Sequence, residues 1–314
     1  MKHLSVDVVV LTYNRPNEIR RNVEELSQNL DSDINIIVVD NNSEADVELI
    51  IKSCGARADY IRLKENIGVG ARNIGVERSK ADVVITLDDD VYGLTQDYVE
   101  YIRSKFLENN ELTAVNFRVI DDVTENQVNW IHHRKMDDWK DREFETYEIS
   151  EGAVALRRLD FLSVGGYPDN FFISHEGPYL ALSLLKASKR VLYSPDVTVR
   201  HSHAEAGRVS WRRYYYDTRN VIWMSITHLP IIMALKKCTI ELGALLLYAL
   251  RDGYLKYWLK GLIDGIKGAR WALRERDPLS GESLQKYRAI ASNNPGVFYM
   301  LKIRIFRKTQ GVGI

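Results

Sequence analysis

The chain has 314 residues, of which 45% are hydrophobic and 27% are charged. This composition supplies the apolar surface for a buried core, and it excludes a disordered chain, a collagen-like chain and a disulfide-stapled miniprotein. Lys plus Arg and Asp plus Glu both number 43, and the formal net charge of zero argues against a nucleic-acid-binding protein.

The charge is unevenly distributed along the chain. Residues 231–314 contain 15 basic and 6 acidic residues, a net charge of +9, so residues 1–230 carry a net charge of −9. An acidic body with a basic tail predicts that the tail meets an anionic partner, whether a membrane, a phosphate ligand or a nucleic acid. The alternative is that the tail is only a solvated helical face.

Localisation signals point to a cytoplasmic protein, with peripheral attachment to the inner face of the plasma membrane left open. Lys2 and His3 lead directly into a strand-like run, too early for the apolar part of a signal peptide. The longest apolar segment, residues 231–250, contains three charged residues and is not expected to cross a bilayer. The two cysteines are too few for a disulfide framework and lack the spacing of a metal site.

The first 90 residues alternate between buried strands and helices. β-Branched and apolar runs predict four strands: Val6–Thr12, Ile34–Asp40, Tyr60–Leu63 and Ala81–Leu87. This alternation predicts a doubly wound, mostly parallel sheet with its ligand chemistry at the carboxyl ends of the strands. Later segments predict helices over 96–108 and 179–187, strands over 113–119, 149–156, 191–193 and 197–200, and helix from 211 onward.

Polar side chains follow these strands where each one ends. Thr12, Asp40 and Asn66 follow the first three strands, and Asp88-Asp89-Asp90 follows the fourth. Adjacent carboxylates repel one another, and a hard divalent cation such as Mg²⁺ or Mn²⁺ relieves that repulsion. In an extended chain Asp88 and Asp90 point the same way and Asp89 the opposite way. The alternatives are a solvated acidic turn for the triad and a helix cap for Asp40.

A glycine-containing loop, Asn66 to Asn73, precedes the next helix. Its glycines, Gly68 among them, let a ligand approach the backbone, and Arg72 in the first helical turn offers a fork of donors to a diphosphate. The loop is neither a Walker motif nor a dinucleotide fingerprint, because the required Gly-Lys-Ser/Thr and glycine spacing are absent.

Four motifs in this order resemble the inverting family 2 glycosyltransferases of the GT-A fold, especially bacterial rhamnosyltransferase-like members. They are VVVLTYNRP, IIVVDNNS, ENIGVGARNIG and VVITLDDD, within residues 5–95, and a sparser match continues to about 230. The resemblance implies a Rossmann-like α/β catalytic domain over 1–230, with nucleotide-sugar binding in 1–95 and acceptor binding and catalysis in 96–230. It also implies a nucleotide-diphosphate sugar donor, a saccharide or lipid-linked acceptor, and a role in cell-surface polysaccharide or glycolipid assembly.

The resemblance further implies roles for individual residues. Thr12, Tyr13 and Asp40 match positions that hold the nucleotide base, and Arg72 matches one near the base and diphosphate. Asn66, Gly68, Asp88 and Asp89 complete the expected donor site. Asp88, Asp90 and His201 are the expected ligands of Mn²⁺ or Mg²⁺; His203 follows the same strand.

Inverting transfer needs a base that deprotonates the acceptor hydroxyl. Relatives place an acidic pair in a segment that reads Phe171 to Leu180 here, and usually its second acid is the base. Glu176 is retained, whereas the second acid is Gly177 and a later aspartate is Tyr179. Glu176 is therefore the expected base. The alternatives are a base from elsewhere, an impaired nucleotide-sugar-binding subunit, or Glu176 acting only as a helix cap. A nucleotidyltransferase is disfavoured, because no glycine-rich loop follows the first strand.

The basic tail, residues 231–314, contains a periodic amphipathic segment. Apolar residues recur at helical spacing from Leu255 to Leu273, with Trp258 among them and lysines opposite. This pattern is typical of a helix lying in an anionic membrane surface. The alternative is packing on the catalytic domain or on a second subunit of a homo-oligomer.

Overall fold

The computed structural model describes residues 3–202 and 211–296. Within these ranges nine strands form one sheet. The strands are β1 (Val6–Thr12), β2 (Asn35–Asp40), β3 (Ala58–Arg62), β4 (Val83–Asp88), β5 (Val91–Tyr92), β6 (Leu112–Asp121), β7 (Phe144–Glu145), β8 (Ala153–Arg157) and β9 (Arg190–His201).

The described ranges also contain eleven α-helices. They are α1 (Pro16–Asn29), α2 (Val47–Ser53), α3 (Ala71–Arg78), α4 (Gln96–Glu108), α5 (Met136–Trp139), α6 (Arg158–Ser163), α7 (Glu176–Lys186), α8 (Trp211–His228), α9 (Ile231–Arg251), α10 (Leu255–Arg274) and α11 (Gly281–Ala291). No helix in these ranges is long and apolar enough to span a bilayer. His203 and the tail beyond residue 296 lie outside the described residues.

The sheet order is β3-β2-β1-β4-β8-β6-β9-β5, with β7 pairing to β9. Strands β3, β2, β1 and β4 are parallel, and β8 enters antiparallel between β4 and β6. The chain builds outward from β1 to β2 and β3, and then returns to place β4 on the other side of β1. The strand order therefore reverses beside β1, where a doubly wound sheet leaves a crevice at its strand ends. The predicted α/β doubly wound sheet is confirmed.

Apolar side chains cover both faces of the sheet. Alternate residues of β1 face opposite clusters: Val8 and Val10 pack with α1, whereas Val9 packs with α3. Gly75 of α3 lies directly on Val9, and an ideal Cβ there would overlap its side chain. Burial on both faces explains why these strands are continuous apolar runs.

Several predicted boundaries differ from the structure. Strand β8 begins at Ala153 rather than at 149, because residues 151 and 152 form a turn. Strand β9 is one element with a register shift, instead of the two strands predicted over 191–193 and 197–200. Helix α7 begins at Glu176, three residues before the predicted start, so Glu176 lies in a helical first turn.

Helices α8, α9 and α10 pack on one another, and α8 also packs on α7. The apolar cluster that contains Phe171 and Trp223 also contains Ala234 and Ala272, so residues on both sides of the predicted boundary at 230 share it. Helix α10 approaches α8 through glycines: an ideal Cβ on Gly268 would overlap the Trp223 ring. The division into domains at 230 stays a prediction.

Candidate active site

The carboxyl ends of β1, β2 and β4 meet at one edge of the sheet. The register pairs Thr12 with Asp40 and Leu11 with Asp88, so the polar residues that follow the three strands lie side by side. The structure thereby brings the predicted donor-site residues of the first 90 positions to one crevice.

Arg15 and His201 accompany the aspartates after β4. Thr12 Oγ1 donates to Asp89 Oδ2 at 2.7 Å, and the Arg15 guanidinium pairs with Asp89 and Asp90. His201 Nε2 lies 3.2 Å from the other Asp90 oxygen. Burial raises the pKa of Asp89 to about 7, although Arg15 is adjacent; burial also opposes ionisation of Asp90, but His201 and Arg15 lower its pKa to about 2.

Asp88 faces a different partner from its two neighbours. Its carboxylate pairs with Arg72, which is buried in the first turn of α3, while the Asp88 side chain is 38% exposed. Gly152 allows this position, because an ideal Cβ on it would overlap the Asp88 carboxylate. The Asp88 amide also donates to the Gly152 carbonyl at 3.1 Å. The turn before β8 therefore packs directly on Asp88.

Asp40 is fully buried, and protein donors already occupy both of its oxygens. It accepts from the Ser43 amide at 2.8 Å and from the Tyr60 hydroxyl at 2.7 Å. The cap of α2 is Asp46, so Asp40 does not serve the capping role considered above. A nucleotide base at Asp40 must share these donors or displace Tyr60. Tyr13, at the end of β1, is 41% exposed and free to contact a ligand.

The glycine loop is held by asparagine side chains. Asn66 Oδ1 accepts from the Gly68 amide at 2.9 Å, and Asn41 bonds both Ile67 and Gly68. Gly68 has φ of +72°, and an ideal Cβ there would overlap the Phe172 carbonyl. Only glycine meets both demands, the left-handed backbone and the close approach.

Glu176 and Glu151 form an acidic pair beside Arg72. Glu176 is 4% exposed, whereas Glu151 is partly exposed. Gly177 lies against Glu151, since an ideal Cβ on Gly177 would overlap the Glu151 carboxylate and the Ile149 carbonyl. Burial, together with the charge of the other glutamate, raises the pKa of Glu176 well above its ordinary value; burial raises that of Glu151 to about 7.

A strained segment leads into α7. Phe172, Ser174 and His175 all have positive φ, which L-residues rarely adopt. Asn220 of α8 is fully buried, and its Nδ2 lies within 3.1 Å of the carbonyls of residues 171, 173 and 174. The C-terminal helices thus hold the backbone immediately before Glu176.

The predicted metal ligands are only partly brought together. The carboxylate of Asp90 and the imidazole of His201 meet, and this pair of donors suits Mn²⁺ in chemical type. Asp88 turns to Arg72, and Arg15 covers the second oxygen of Asp90. Accordingly, the described residues contain no group of three or more acidic, His or Cys side chains with the geometry of a metal site.

Sequence reasoning missed four residues of this site: Arg15, Glu151, Gly152 and Asn220. Arg15 lies within the motif VVVLTYNRP, but the sequence does not indicate which carboxylate an arginine after a strand will pair with. The other three come together through contacts between residues far apart in the chain, such as Glu151 with Gly177 and Asn220 with Ile173, which no local pattern shows.

The profile of glycosyl transferase family 2 matches residues 7–164. Two O-antigen chain rhamnosyltransferases resemble the chain. The protein from Salmonella anatum is 27% identical over 158 residues, covering 46% of this chain and 49% of the relative. The protein from Salmonella typhimurium is 23% identical over 225 residues, covering 68% and 71%. The aligned part thus spans about half the length of the first relative.

Solved structures share the fold at low identity. A mannosyltransferase from Pyrobaculum calidifontis in complex with GDP-Man and Mn²⁺ superposes with a TM-score of 0.57 at 16% identity, covering 86% of this chain and 88% of that one. Residues 1–349 of TarS from S. aureus give 0.60 at 15% identity, covering 84% and 80%. These likenesses establish the GT-A fold. Since the family profile covers half of the sequence, the chain belongs to glycosyl transferase family 2.

Proposed function

We propose that this protein is a metal-dependent inverting glycosyltransferase, which moves a sugar from a nucleotide-diphosphate donor to a hydroxyl of a saccharide or lipid-linked acceptor. The observation that carries the proposal is the crevice where Asp88, Asp90, Arg72 and the Glu151–Glu176 pair meet in a family 2 chain. The names of the Salmonella relatives favour a rhamnosyl donor and O-antigen-like polysaccharide assembly.

Each part of the crevice has a role in this proposal. The nucleotide base lies against Tyr13, next to Thr12 and Asp40, and the diphosphate follows the Asn66–Arg72 loop, where Arg72 supplies a buried positive charge. Asp90 and His201 would hold Mn²⁺ or Mg²⁺, with Asp88 alongside, and a bound ion would supply positive charge for the departing nucleoside diphosphate. The acceptor hydroxyl approaches from the side of Glu176 and loses its proton to a carboxylate there.

Donor binding is tested first, with a panel of nucleotide sugars in thermal shift experiments containing Mn²⁺. A nucleotide rhamnose near 100 times its Kd should raise Tm by about 5 °C, and EDTA should remove most of that shift. Arg72→Met should abolish the shift, whereas Arg78→Met, which removes an exposed arginine of the same helix, should keep it. No shift with any nucleotide sugar would contradict the proposal.

Turnover separates the enzyme from an impaired donor-binding subunit. The enzyme should release nucleoside diphosphate slowly with donor alone, and much faster once a saccharide acceptor is added. A subunit that only binds should show the thermal shift without release. Incorporation of nucleotide into a sugar phosphate would instead indicate a nucleotidyltransferase.

We also propose that α9 and α10 dock on an anionic membrane surface, close to a lipid-linked acceptor. Helix α10 exposes a stripe of large apolar residues: Leu259, Ile263, Ile266 and Leu273 are 45–63% exposed. Exposed basic residues border it, namely Lys256, Lys260, Lys267, Arg270 and Arg274. Helix α9 adds Ile231 and Ile232, at 67% and 82% exposed. An apolar stripe flanked by cations complements acidic headgroups over an acyl layer.

Vesicle sedimentation tests this docking. The protein should bind vesicles of phosphatidylglycerol, and binding should weaken with added salt. The double variant Ile263→Glu, Ile266→Glu should lose binding. The matched control is Leu159→Glu, a change at a leucine 68% exposed on α6 of the catalytic body, and it should bind normally. Equal binding to neutral vesicles would contradict the docking, and self-association through the stripe would point to a homo-oligomer.

A further inference from the structure

We propose that Glu151 is the carboxylate that accepts the proton of the acceptor hydroxyl, and that Glu176 is the buried acid beside it. This assignment rests on the glycosyl transfer proposed above and concerns which glutamate meets the acceptor. The argument starts from Gly177, the residue after Glu176.

Gly177 has no side chain, and Glu151 occupies the space that one would need. The Glu151 carboxylate and the Ile149 carbonyl both lie where a Cβ of residue 177 would be. A glutamate from another segment, the turn before β8, therefore stands at the first turn of α7. The site retains two carboxyl groups at this point, although α7 itself contributes only one.

The backbone of Glu151 is fixed relative to the donor side of the crevice. Thr86 of β4 donates its hydroxyl to the Glu151 carbonyl at 2.6 Å, and the next residue, Gly152, lies against the Asp88 carboxylate. Ser150 is held by Asn116, whose Oδ1 accepts from its amide at 2.7 Å. Glu151 thus connects the end of β4 with the start of α7, between the proposed donor and acceptor positions.

Exposure distinguishes the two glutamates. Glu176 is 4% exposed, and its Oε2 makes no hydrogen bond to any residue that the structure describes. Glu151 is partly exposed and is the less buried residue of the two. A base must contact the hydroxyl that it deprotonates, which favours Glu151 over Glu176.

The charges around the two glutamates favour an ionised Glu151 beside a protonated Glu176. The groups that act on Glu151 are Arg72 of α3, Asp88 of β4, Glu148 of its own segment and Glu176 of α7. The single guanidinium of Arg72 cannot keep Asp88, Glu151 and Glu176 all ionised. One proton therefore stays on the Glu151–Glu176 pair. The pKa of Glu176 is raised well above its ordinary value and that of Glu151 to about 7, so the proton resides on Glu176.

The step balances without any further reactant. The acceptor O–H proton moves to a Glu151 oxygen while the acceptor oxygen bonds to the anomeric carbon, on the face opposite the diphosphate. The bond from that carbon to the diphosphate oxygen breaks, and its electron pair leaves with the nucleoside diphosphate. Glu151 then releases the proton to water.

Steady-state transfer by the full chain with Mn²⁺ and its donor tests the assignment. Glu151→Gln should lower kcat by about 10²–10⁴-fold with a donor Kd within twofold of wild type, and should remove the rise in rate as pH passes 7. Glu176→Gln removes a neighbouring acid but keeps the base, so the pH-dependent rise should persist. The control is Glu145→Gln, which changes a glutamate of β7 that pairs with Arg190 at 3.4 Å, and it should retain transfer.

A second readout separates a base from a structural residue. Azide is an anionic acceptor that needs no deprotonation, so Glu151→Ala should regain transfer as an inverted glycosyl azide. Wild-type transfer by Glu151→Gln, absence of azide rescue, or loss of the pH-dependent rise in Glu176→Gln alone would overturn the assignment. Failure of wild type to turn over any nucleotide sugar would instead overturn the proposed function, and this inference with it.

Discussion

The proposed donor and acceptor sides of the crevice are built in different ways. The donor side takes Thr12, Asp40 and the Asp88–Asp90 run from positions within two residues of the ends of three adjacent parallel strands, with Arg72 of α3 beside them. The acceptor side takes Glu151 from a turn and Glu176 from a helix, and α8 braces it through Asn220. The pairing of parallel strands by itself places the strand-end residues of the donor side together. The acceptor side forms only when segments distant in the chain pack on one another.

The largest expected effect lies on the donor side. Asp90→Asn removes the carboxylate that joins His201 and Arg15, and with it a proposed metal ligand. Transfer should fall by about 10²–10³-fold, the usual cost of losing one group that stabilises transition-state charge. The measurement is kcat at saturating Mn²⁺, with Asp97→Asn on α4 as the control for an aspartate outside the site. Activity within threefold of wild type would exclude Asp90 from the chemistry.

The second prediction concerns the stability of the acceptor side at acid pH. His228 of α8 is 4% exposed and lies 2.8 Å from Ser183 of α7, and burial lowers its pKa to about 4. In the unfolded chain its pKa is near 6.5, so the unfolded state binds more protons below that pH. The stability of the fold is therefore unaffected above pH 6.5 and decreases as pH falls. Relative to neutral pH, the free energy of unfolding should be lower by about 2 kcal/mol at pH 5 and by about 3 kcal/mol at pH 4.

Urea unfolding at pH 7 and pH 5 measures this loss. His228→Gln should have a smaller difference between the two pH values than wild type, while His3→Gln, at an exposed position, should have the same difference. Part of the dependence should remain, because His132 is also buried with a lowered pKa. An unchanged difference in His228→Gln would show that the α7–α8 contact does not set the acid sensitivity.

These two sides also differ in how far the sequence predicts them. The sequence predicts Thr12, Asp40 and Asp88 at neighbouring strand ends, which is where they lie, because continuous apolar runs mark those strands. Gln96–Glu108 was predicted with the bounds it has in the structure. The pairing of Asp88 with Arg72 was not predicted, since a carboxylate turns to whichever cation the fold brings near. Glu151 was missed because the apolar pattern of 149–156 predicts one continuous strand. In the structure residues 151 and 152 form a turn instead, where Gly152 lies against the Asp88 carboxylate, a contact that no local pattern shows.

The third prediction tests the brace on the acceptor side. Asn220→Ala leaves the carbonyls of residues 171, 173 and 174 without their shared donor, next to three residues with positive φ. The free energy of unfolding should fall by about 1–3 kcal/mol, and kcat should fall about tenfold because the start of α7 moves. Thr227→Val is the matched control, a buried residue of the same helix whose hydroxyl donates to the Trp223 carbonyl of that helix. Loss of stability without loss of kcat would confine Asn220 to a structural role.

The smallest expected effect returns to the donor side and concerns Arg15. Its guanidinium neutralises Asp89 and Asp90 when no ligand is bound, and a metal ion at Asp90 has to displace it. The Arg15 side chain is 31% exposed, so the pair contributes at most about 1 kcal/mol. Arg15→Gln should therefore tighten Mn²⁺ binding, measured by Mn²⁺ electron paramagnetic resonance without donor, by up to about fivefold. Arg21→Gln, which pairs with Asp122 in an exposed position, is the control and should leave Mn²⁺ affinity unchanged. Weaker Mn²⁺ binding in Arg15→Gln would mean that Arg15 organises the acidic triad for the ion instead of competing with it.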